Sequence, residues 1–305
     1  MRFTLDGLSV EVPAAQIEES RAFYRSRPAG RGPSTLERLH DMRARRAAPA
    51  PADPPAVEEV VGARGARVAV RISVPTAAEP RGVYLDIPGG GFYLDSAARN
   101  DARNRELADA LGLAVVSVDY RLAPEHPWPA APDDCATAAL WLVGEAEARF
   151  GTSRLAIGGT SAGATLAMTT LLRLRDRGVV DRFVGAALQF GTYDLSAQTP
   201  AGRLIADEYF LAAYVGHVAD RTVPDISPVF GDLRSLPPVL LVVGCTDVLL
   251  EDNLAMAARL AAAGNEVDLR IYPESPHGFT GHATATARTA LDGIASWLSD
   301  RVGRP

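Results

Sequence analysis

From Val57 onward the chain alternates short apolar runs with longer segments in which apolar residues recur every three or four positions. Val57–Val61 and Val68–Val74, separated by Gly62-Ala-Arg-Gly65, predict a hairpin and therefore an antiparallel start to a sheet. Further strands are predicted at Val83–Ile87, Ala114–Val118, Leu155–Ile157, Val184–Phe190, Val239–Val243 and Val267–Tyr272. Between them, Arg99–Leu111, Asp133–Phe150, Ala162–Arg177 and Glu251–Ala263 carry the helical period, and Ala285–Leu298 closes the chain as a last helix. Apolar strands alternating with helices specify an α/β protein with a mostly parallel sheet covered on both faces. Its ligands belong at the carboxyl ends of the strands. One interval, Leu195–Ser235, breaks the rhythm and reads as an insertion forming a cap.

The N-terminal part is different. A short edge segment precedes helical stretches at Ala14–Arg27 and Ser34–Arg46, and a Pro/Ala-rich linker at Ala47–Ala56 follows. Residues 1–56 are thus expected to be cap helices and linker, and 57–305 a catalytic domain with a cap insertion near 195–235. Eight arginines fall between Arg21 and Arg46; Glu18, Glu19, Glu37 and Asp41 among them make a solvated helix face the expected reading.

Composition narrows the chemistry. At 305 residues and 47% hydrophobic, the chain can bury a large core. A net charge of −6 argues against a nucleic-acid partner. No run reaches a membrane-spanning length, and Met1–Asp6 lacks the layout of a signal peptide, so a cytoplasmic protein without a membrane partner is expected. All 31 basic residues are arginine, which removes lysine Schiff-base and P-loop chemistry. The two cysteines, Cys135 and Cys245, lack metal-ligand spacing and are expected as reduced, buried thiols. No metal is expected.

Gly159-Thr160-Ser161-Ala162-Gly163 stands directly after the apolar run Leu155–Ile157 and directly before a helical stretch. A serine hydroxyl is a weak nucleophile until it is held exposed beside a base and backbone donors. Glycines two residues to either side allow the tight strand-to-helix turn that presents Ser161 at the top of a sheet. Of five histidines only His277, in Pro276-His277-Gly278-Phe279, lies just beyond a predicted strand at the carboxyl edge. The acid that orients it should leave a strand end between Ser161 and His277. Asp247, four residues after Val243, fits; Asp194 is the weaker rival, and Glu251 and Asp252 are expected to begin the next helix, at the positive end of its dipole. Gly89-Gly90-Gly91, after the strand Val83–Ile87, together with the N–H of Ala162, can supply donors for a developing oxyanion.

These motifs resemble a known family. Gly-Gly-Gly-Phe at 89–92, Val118-Asp-Tyr-Arg-Leu-Ala-Pro-Glu125 with the His-Pro-Trp-Pro-Ala after it, Gly-Thr-Ser-Ala-Gly at 159–163, Asp247 and His277-Gly-Phe agree in order and spacing with the hormone-sensitive-lipase-like (bacterial type IV) carboxylesterases of the α/β-hydrolase superfamily. The resemblance runs from about Val57 to Trp297. It implies the α/β-hydrolase fold with an eight-stranded sheet, a helical cap made of the N-terminal helices and the insertion after Phe190, hydrolysis of esters with small to medium acyl groups, and no cofactor. Two positions depart from the pattern: Pro88 stands where the family has histidine before the three glycines, and Ala164 where a further glycine is common.

The reading that follows is a serine hydrolase of a small-molecule carboxylic ester or lactone, monomeric or homodimeric. Ser161 attacks, His277 moves the proton, Asp247 holds the imidazole, Gly90, Gly91 and Ala162 bind the oxyanion, and Gly89 shapes the loop. Phe92, Tyr93, Tyr193 and Phe210, with Trp128, Tyr209 and Tyr214, are candidate pocket walls. Pro88 motivates a rival enzyme reading, a biosynthetic relative performing acyl transfer, cyclisation or non-hydrolytic chemistry. A non-catalytic small-molecule receptor is the rival from another class, and the presence of Ser161, Asp247 and His277 together counts against it.

Overall fold

The computed structural model describes residues 8–27, 32–47, 49 and 51–303. The segment Met1–Asp6, two positions of the linker at 47–56, and Arg31 of the arginine-rich stretch lie outside the described residues. Two helices come first, α1 (Ala14–Arg25) and α2 (Leu36–Arg45). The Thr35 hydroxyl caps α2 by accepting the Arg38 N–H at 3.2 Å. Ahead of them, Ser9 pairs with Ile271 on the outer edge of the sheet.

The hairpin predicted at 57–74 forms as β1 (Val57–Ala63) and β2 (Ala66–Ser73), turning at Arg64-Gly65. Then follow β3 (Val83–Ile87), α3 (Asp101–Leu111), β4 (Ala114–Asp119), α4 (Ala130–Phe150), β5 (Leu155–Thr160), α5 (Ala162–Arg175) and β6 (Phe183–Gln189). Two short helices, α6 (Pro200–Arg203) and α7 (Tyr209–Val215), occupy the interval that breaks the strand–helix rhythm. The chain closes with β7 (Val239–Gly244), α8 (Leu250–Ala262), β8 (Val267–Tyr272) and α9 (Ala285–Gly303).

The eight strands form one sheet in the order β1-β2-β4-β3-β5-β6-β7-β8. β2 is antiparallel to both of its neighbours, and every pair from β4/β3 to β7/β8 is parallel. This is the mostly parallel, helix-covered α/β-hydrolase sheet that the sequence pattern and the resemblance predict.

Alternation along the strands divides the core. Val83, Leu85 and Ile87 of β3, Leu155 and Ile157 of β5, and Val239 and Leu241 of β7 pack into the layer that includes Leu142 of α4, Met168 of α5 and Met256 of α8. Their neighbours Tyr84, Ala156, Leu240 and Val242 face the opposite layer, with Ala108 of α3 and Ile294, Trp297 and Leu298 of α9. Buried on both faces, the central strands read as continuous apolar runs. Most helix ends differ from expectation by a turn or less: α5 stops at Arg175 rather than Arg177, and α4 begins at Ala130 rather than Asp133, while α9 runs on five residues past Leu298 to Gly303.

Among the described residues no helix is long and apolar enough to cross a membrane, and no group of three or more His, Cys, Asp or Glu is placed to hold a metal ion. One cysteine departs from expectation. Cys135 is buried in α4, whereas Cys245 is exposed, because it sits past the end of β7 where the sheet gives way to loops.

Candidate active site

The site grows from the turn between β5 and α5. Ser161 holds φ 52° and ψ −122°, a conformation that L-residues rarely adopt and that surrounding structure must impose. Close packing imposes it here. A Cβ on Gly159 would lie 2.6 Å from the Ile87 carbonyl oxygen, and one on Gly163 would overlap that oxygen and come within 2.6 Å of the Pro88 carbonyl. The flanking glycines thus let the end of β3 press against the start of α5. The Ser161 N–H donates to the Gln189 carbonyl at 2.9 Å, tying the turn to β6.

Ser161 Oγ lies 2.9 Å from His277 Nε2, across 116 residues of sequence. On the other side of the ring, Nδ1 faces both carboxylate oxygens of Asp247, at 3.1 and 3.0 Å. A carboxylate can only accept, so Nδ1 carries the proton and leaves Nε2 free to accept from the Ser161 hydroxyl. The Asp247 side chain is fully buried, and its Oδ1 also accepts the Leu249 N–H at 2.8 Å. The imidazole and the Phe190 ring meet in a T-shaped contact, ring centroids 5.1 Å apart.

Hydrogen bonds from the backbone lace together the two loops that carry Asp247 and His277. Cys245 N–H donates to Tyr272 O at 2.8 Å, Thr246 N–H to Ser275 O at 3.1 Å, and Glu274 N–H to Cys245 Sγ at 3.2 Å.

The glycine loop begins where β3 ends. Gly90 and Gly91 take φ of 113° and 61°, and Phe92 follows at 63°. The N–H groups of Tyr93 and Leu94 fold back onto the Gly90 carbonyl at 3.2 and 2.8 Å. A Cβ on Gly89 would lie 2.7 Å from the Thr160 carbonyl oxygen, so this loop lies against the residue before the serine. The Ala162 N–H is the first of α5, where no carbonyl of the helix stands a turn earlier to accept it. The Tyr120 hydroxyl donates to the Pro88 and Gly89 carbonyls at 2.9 and 3.2 Å.

The aromatic residues separate by exposure. Tyr193 has no accessible surface and Phe92 only 1%, the latter stacked face to face on Tyr214 at 4.0 Å. Tyr93 is 4% exposed, and burial first of all pushes its hydroxyl up to about 12. Tyr209 and Phe210, at the start of α7, are half-buried and lean on Tyr93; Phe210 Cβ lies 3.6 Å from where a Cβ on Gly91 would stand. In this conformation the surface open to a ligand beside the glycine loop is supplied by Tyr209 and Phe210, while Phe92 and Tyr193 are core. Trp128 is tied by its indole N–H to Asp225 at 2.9 Å.

Two acids need separate treatment. Asp194 serves the segment after β6: its oxygens accept from the N–H and hydroxyl of both Ser196 and Thr199. Burial pushes its carboxyl up, but those four donors outweigh it and the net shift is downward. Asp252 is expected to begin the next helix, and it is 1% exposed. It does lie in the first turn of α8, with its side chain turned inward, where Oδ2 accepts the Tyr193 N–H at 2.5 Å and the Asp194 N–H at 3.3 Å. Burial raises it to about 7. The acidic first turn of a helix is legible in sequence; which way its side chain points is not.

The N-terminal helices reach the same loops. α1 joins the histidine loop through Arg21–Glu274 at 2.9 Å and Tyr24 Oη–His282 Nδ1 at 3.2 Å. α2 reaches the glycine loop through Arg43. Arg43 was hidden in sequence among eight arginines read as a solvated face. Its spacing four residues after Leu39, which is fully buried, puts the two on one helix face and was the available signal.

Known proteins carry the same plan. The profile of the alpha/beta hydrolase fold family matches residues 84–281. The chain is 34% identical over 207 residues to the carboxylic ester hydrolase LipN of Mycobacterium tuberculosis, an alignment that covers 63% of this chain and 55% of LipN. It therefore spans little more than half of that relative's length. It is 32% identical over 240 residues to esterase LipI of the same organism, covering 75% of this chain and 74% of LipI. Among solved structures, the crystal structure of an esterase from the bacterial hormone-sensitive lipase family superposes with a TM-score of 0.76 at 26% identity, over 96% of this chain and all of the other.

Proposed function

From a chain that belongs to the α/β-hydrolase-fold family and, within it, to the hormone-sensitive-lipase-like carboxylesterases, we propose a serine hydrolase that cleaves a carboxylic ester or lactone through an acyl-enzyme. The observation that carries this reading is the relay of Ser161 Oγ, 2.9 Å from His277 Nε2, whose Nδ1 faces the buried Asp247 carboxylate at 3.0 Å.

In the proposed reaction, Ser161 Oγ bonds to the ester carbonyl carbon while its proton passes to His277 Nε2. The carbonyl electron pair moves onto oxygen, where the N–H groups of Gly90, Gly91 and Ala162 meet it. Such pre-aimed donors contribute about 3–4 kcal/mol each where one has been removed. Asp247 holds the Nδ1 tautomer and stabilises the imidazolium. Collapse breaks the bond to the alkoxy oxygen, which takes the proton from Nε2. Water then enters, gives its proton to Nε2 and attacks the acyl carbon, and the returning proton releases Ser161.

The N-terminal helices and the 195–235 segment are the cap in this reading. Support comes from the ties of α1 and α2 to the histidine and glycine loops, and from Tyr209 and Phe210 lying over Tyr93 and Gly91.

The test is incubation with a fluorophosphonate followed by intact-mass measurement. One adduct per chain is expected on the natural sequence and none on Ser161→Ala. An unlabelled natural chain that also fails to turn over p-nitrophenyl esters would overturn the reading.

A further inference from the structure

The glycine loop is held in a conformation that it would not keep by itself. Gly90, Gly91 and Phe92 carry three successive positive φ angles of 113°, 61° and 63°, and the last is not glycine. A non-glycine residue there is strained and persists only when its surroundings over-determine it. Two anchors lie at the ends of this stretch. At the start, the Tyr120 hydroxyl binds the carbonyls of Pro88 and Gly89. At the far end stands Arg43, from a different part of the chain.

Arg43 Nε and Nη2 both donate to the Tyr93 carbonyl, at 3.0 and 2.8 Å. Nη2 also donates to the Ala123 carbonyl at 2.7 Å, and Nη1 pairs with Glu125 Oε1 at 2.6 Å. Ala123 in turn gives its N–H to the Phe92 carbonyl at 2.9 Å. A single guanidinium thus closes a ring through the two residues after the glycines and the loop after β4. Its hydrogen bond and charge draw the Glu125 carboxyl below its usual range, so the pair stays ionised. The other end of the lever is fixed, because Leu39, one helical turn earlier, is fully buried.

We propose that Arg43 is a positioning residue that sets the direction of the Gly90 and Gly91 N–H groups, so that docking of α2 on the catalytic domain governs stabilisation of the oxyanion. The inference rests on the esterase reading above. The two donors lie between the Tyr120 anchor and the Arg43 anchor; without the second, the stretch is free to relax its positive φ angles and turn those N–H groups away. Lysine cannot replace it. Its ammonium is a point charge that lacks the planar fork needed to span Tyr93 O, Ala123 O and Glu125 together.

The experiment compares the natural chain with Arg43→Ala, Arg43→Lys and, as a control on the same helix, Arg38→Ala, an exposed residue that among the described residues bonds only to Ser34 and Thr35 at the start of its own helix. Four readouts are taken: p-nitrophenyl acetate kinetics, inhibition by a trifluoromethyl ketone, melting temperature, and amide exchange at Tyr93 and Leu94. In Arg43→Ala, kcat is expected to fall by about 10- to 100-fold with KM moving less than about threefold, the scale of a donor misplaced by an ångström. The ketone, whose adduct puts an oxyanion on the same donors, should lose affinity by a matching factor. Exchange at Tyr93 and Leu94, which donate to Gly90, should accelerate, and Arg38→Ala should behave as the natural chain. If Arg43→Ala does not fold, Arg43→Lys carries the test and is expected to show the same pattern at a near-natural melting temperature. Folded variants with kcat and ketone affinity within twofold of the natural chain overturn the inference, as does unchanged exchange at Tyr93 and Leu94. Failure of the esterase reading is recognised separately, by a natural chain that neither turns over ester nor takes up fluorophosphonate.

Discussion

Gly163, the first-turn glycine of α5, stands so close to Ile87 at the end of β3 that any side chain on it would overlap the Ile87 carbonyl oxygen and come within 2.6 Å of the Pro88 carbonyl. The contact brings the helix that follows Ser161 and the strand that leads into the glycine loop together, so one packing constraint sets both halves of the candidate site. Gly163→Ala is expected to cost stability at the upper end of overpacking, about 3 kcal/mol or more, since backbone must move. Chemical denaturation at constant m-value measures it; a loss below about 1 kcal/mol would show that β3 and α5 separate easily.

Ser161→Ala should lower kcat/KM on p-nitrophenyl esters by at least about 10³-fold with little change in melting temperature, because one exposed-side hydroxyl is removed and the backbone donors remain. His277→Ala should fall to a similar level, and the double variant no further, as groups acting as one unit do. Multiplying losses in the double variant would contradict a shared proton relay between Oγ and Nε2.

Asp252 gives the protein a pH-dependent stability. Burial raises its folded-state value to about 7 from 3.8, so between those values the folded chain holds a proton that the unfolded chain has released. Stability therefore falls as pH rises from about 4 to about 7 and levels off above, by on the order of 4 kcal/mol in total from this group. Asp252→Asn keeps an oxygen to accept the Tyr193 and Asp194 N–H groups but cannot ionise. Its melting temperature is expected to decline less over that range and to equal or exceed the natural chain's at pH 8. Parallel profiles would mean that the slope comes from elsewhere.

Pro88 is expected to tune specificity without removing activity. Its carbonyl accepts the Tyr120 hydroxyl, a bond that does not depend on the side chain at this position. The glycine donors are backbone groups and survive the absence of a histidine at this position. The expectation is weak turnover of short-chain esters and competence on bulkier, cyclic substrates. Pro88→His should raise p-nitrophenyl acetate hydrolysis; a tenfold drop, about 1.4 kcal/mol in the barrier, would show that proline is itself required to shape the loop.

The order of strands and helices was legible because burial on both faces leaves the sheet as apolar runs, and helices keep their own period whatever they pack against. The turn at Ser161 was legible for a related reason: Gly159, Ser161 and Gly163 are local, and their spacing states a backbone requirement. His277 and Asp247 could be named because each follows a strand, and strands of a parallel sheet deliver their ends to one edge. What the tertiary structure alone decided is where ambiguous side chains turn. Phe92 and Tyr193 are aromatic residues beside the site that pack inward, while Phe210 keeps accessible surface. Cys245 lies in the open, against expectation, and Asp252 turns its side chain into the core from the helix start at which the sequence placed it. Arg43 leaves a run of arginines to hold a loop 50 residues away. Composition and period record how often a residue is buried along its own element; which partner lies across from it depends on elements brought together only by folding.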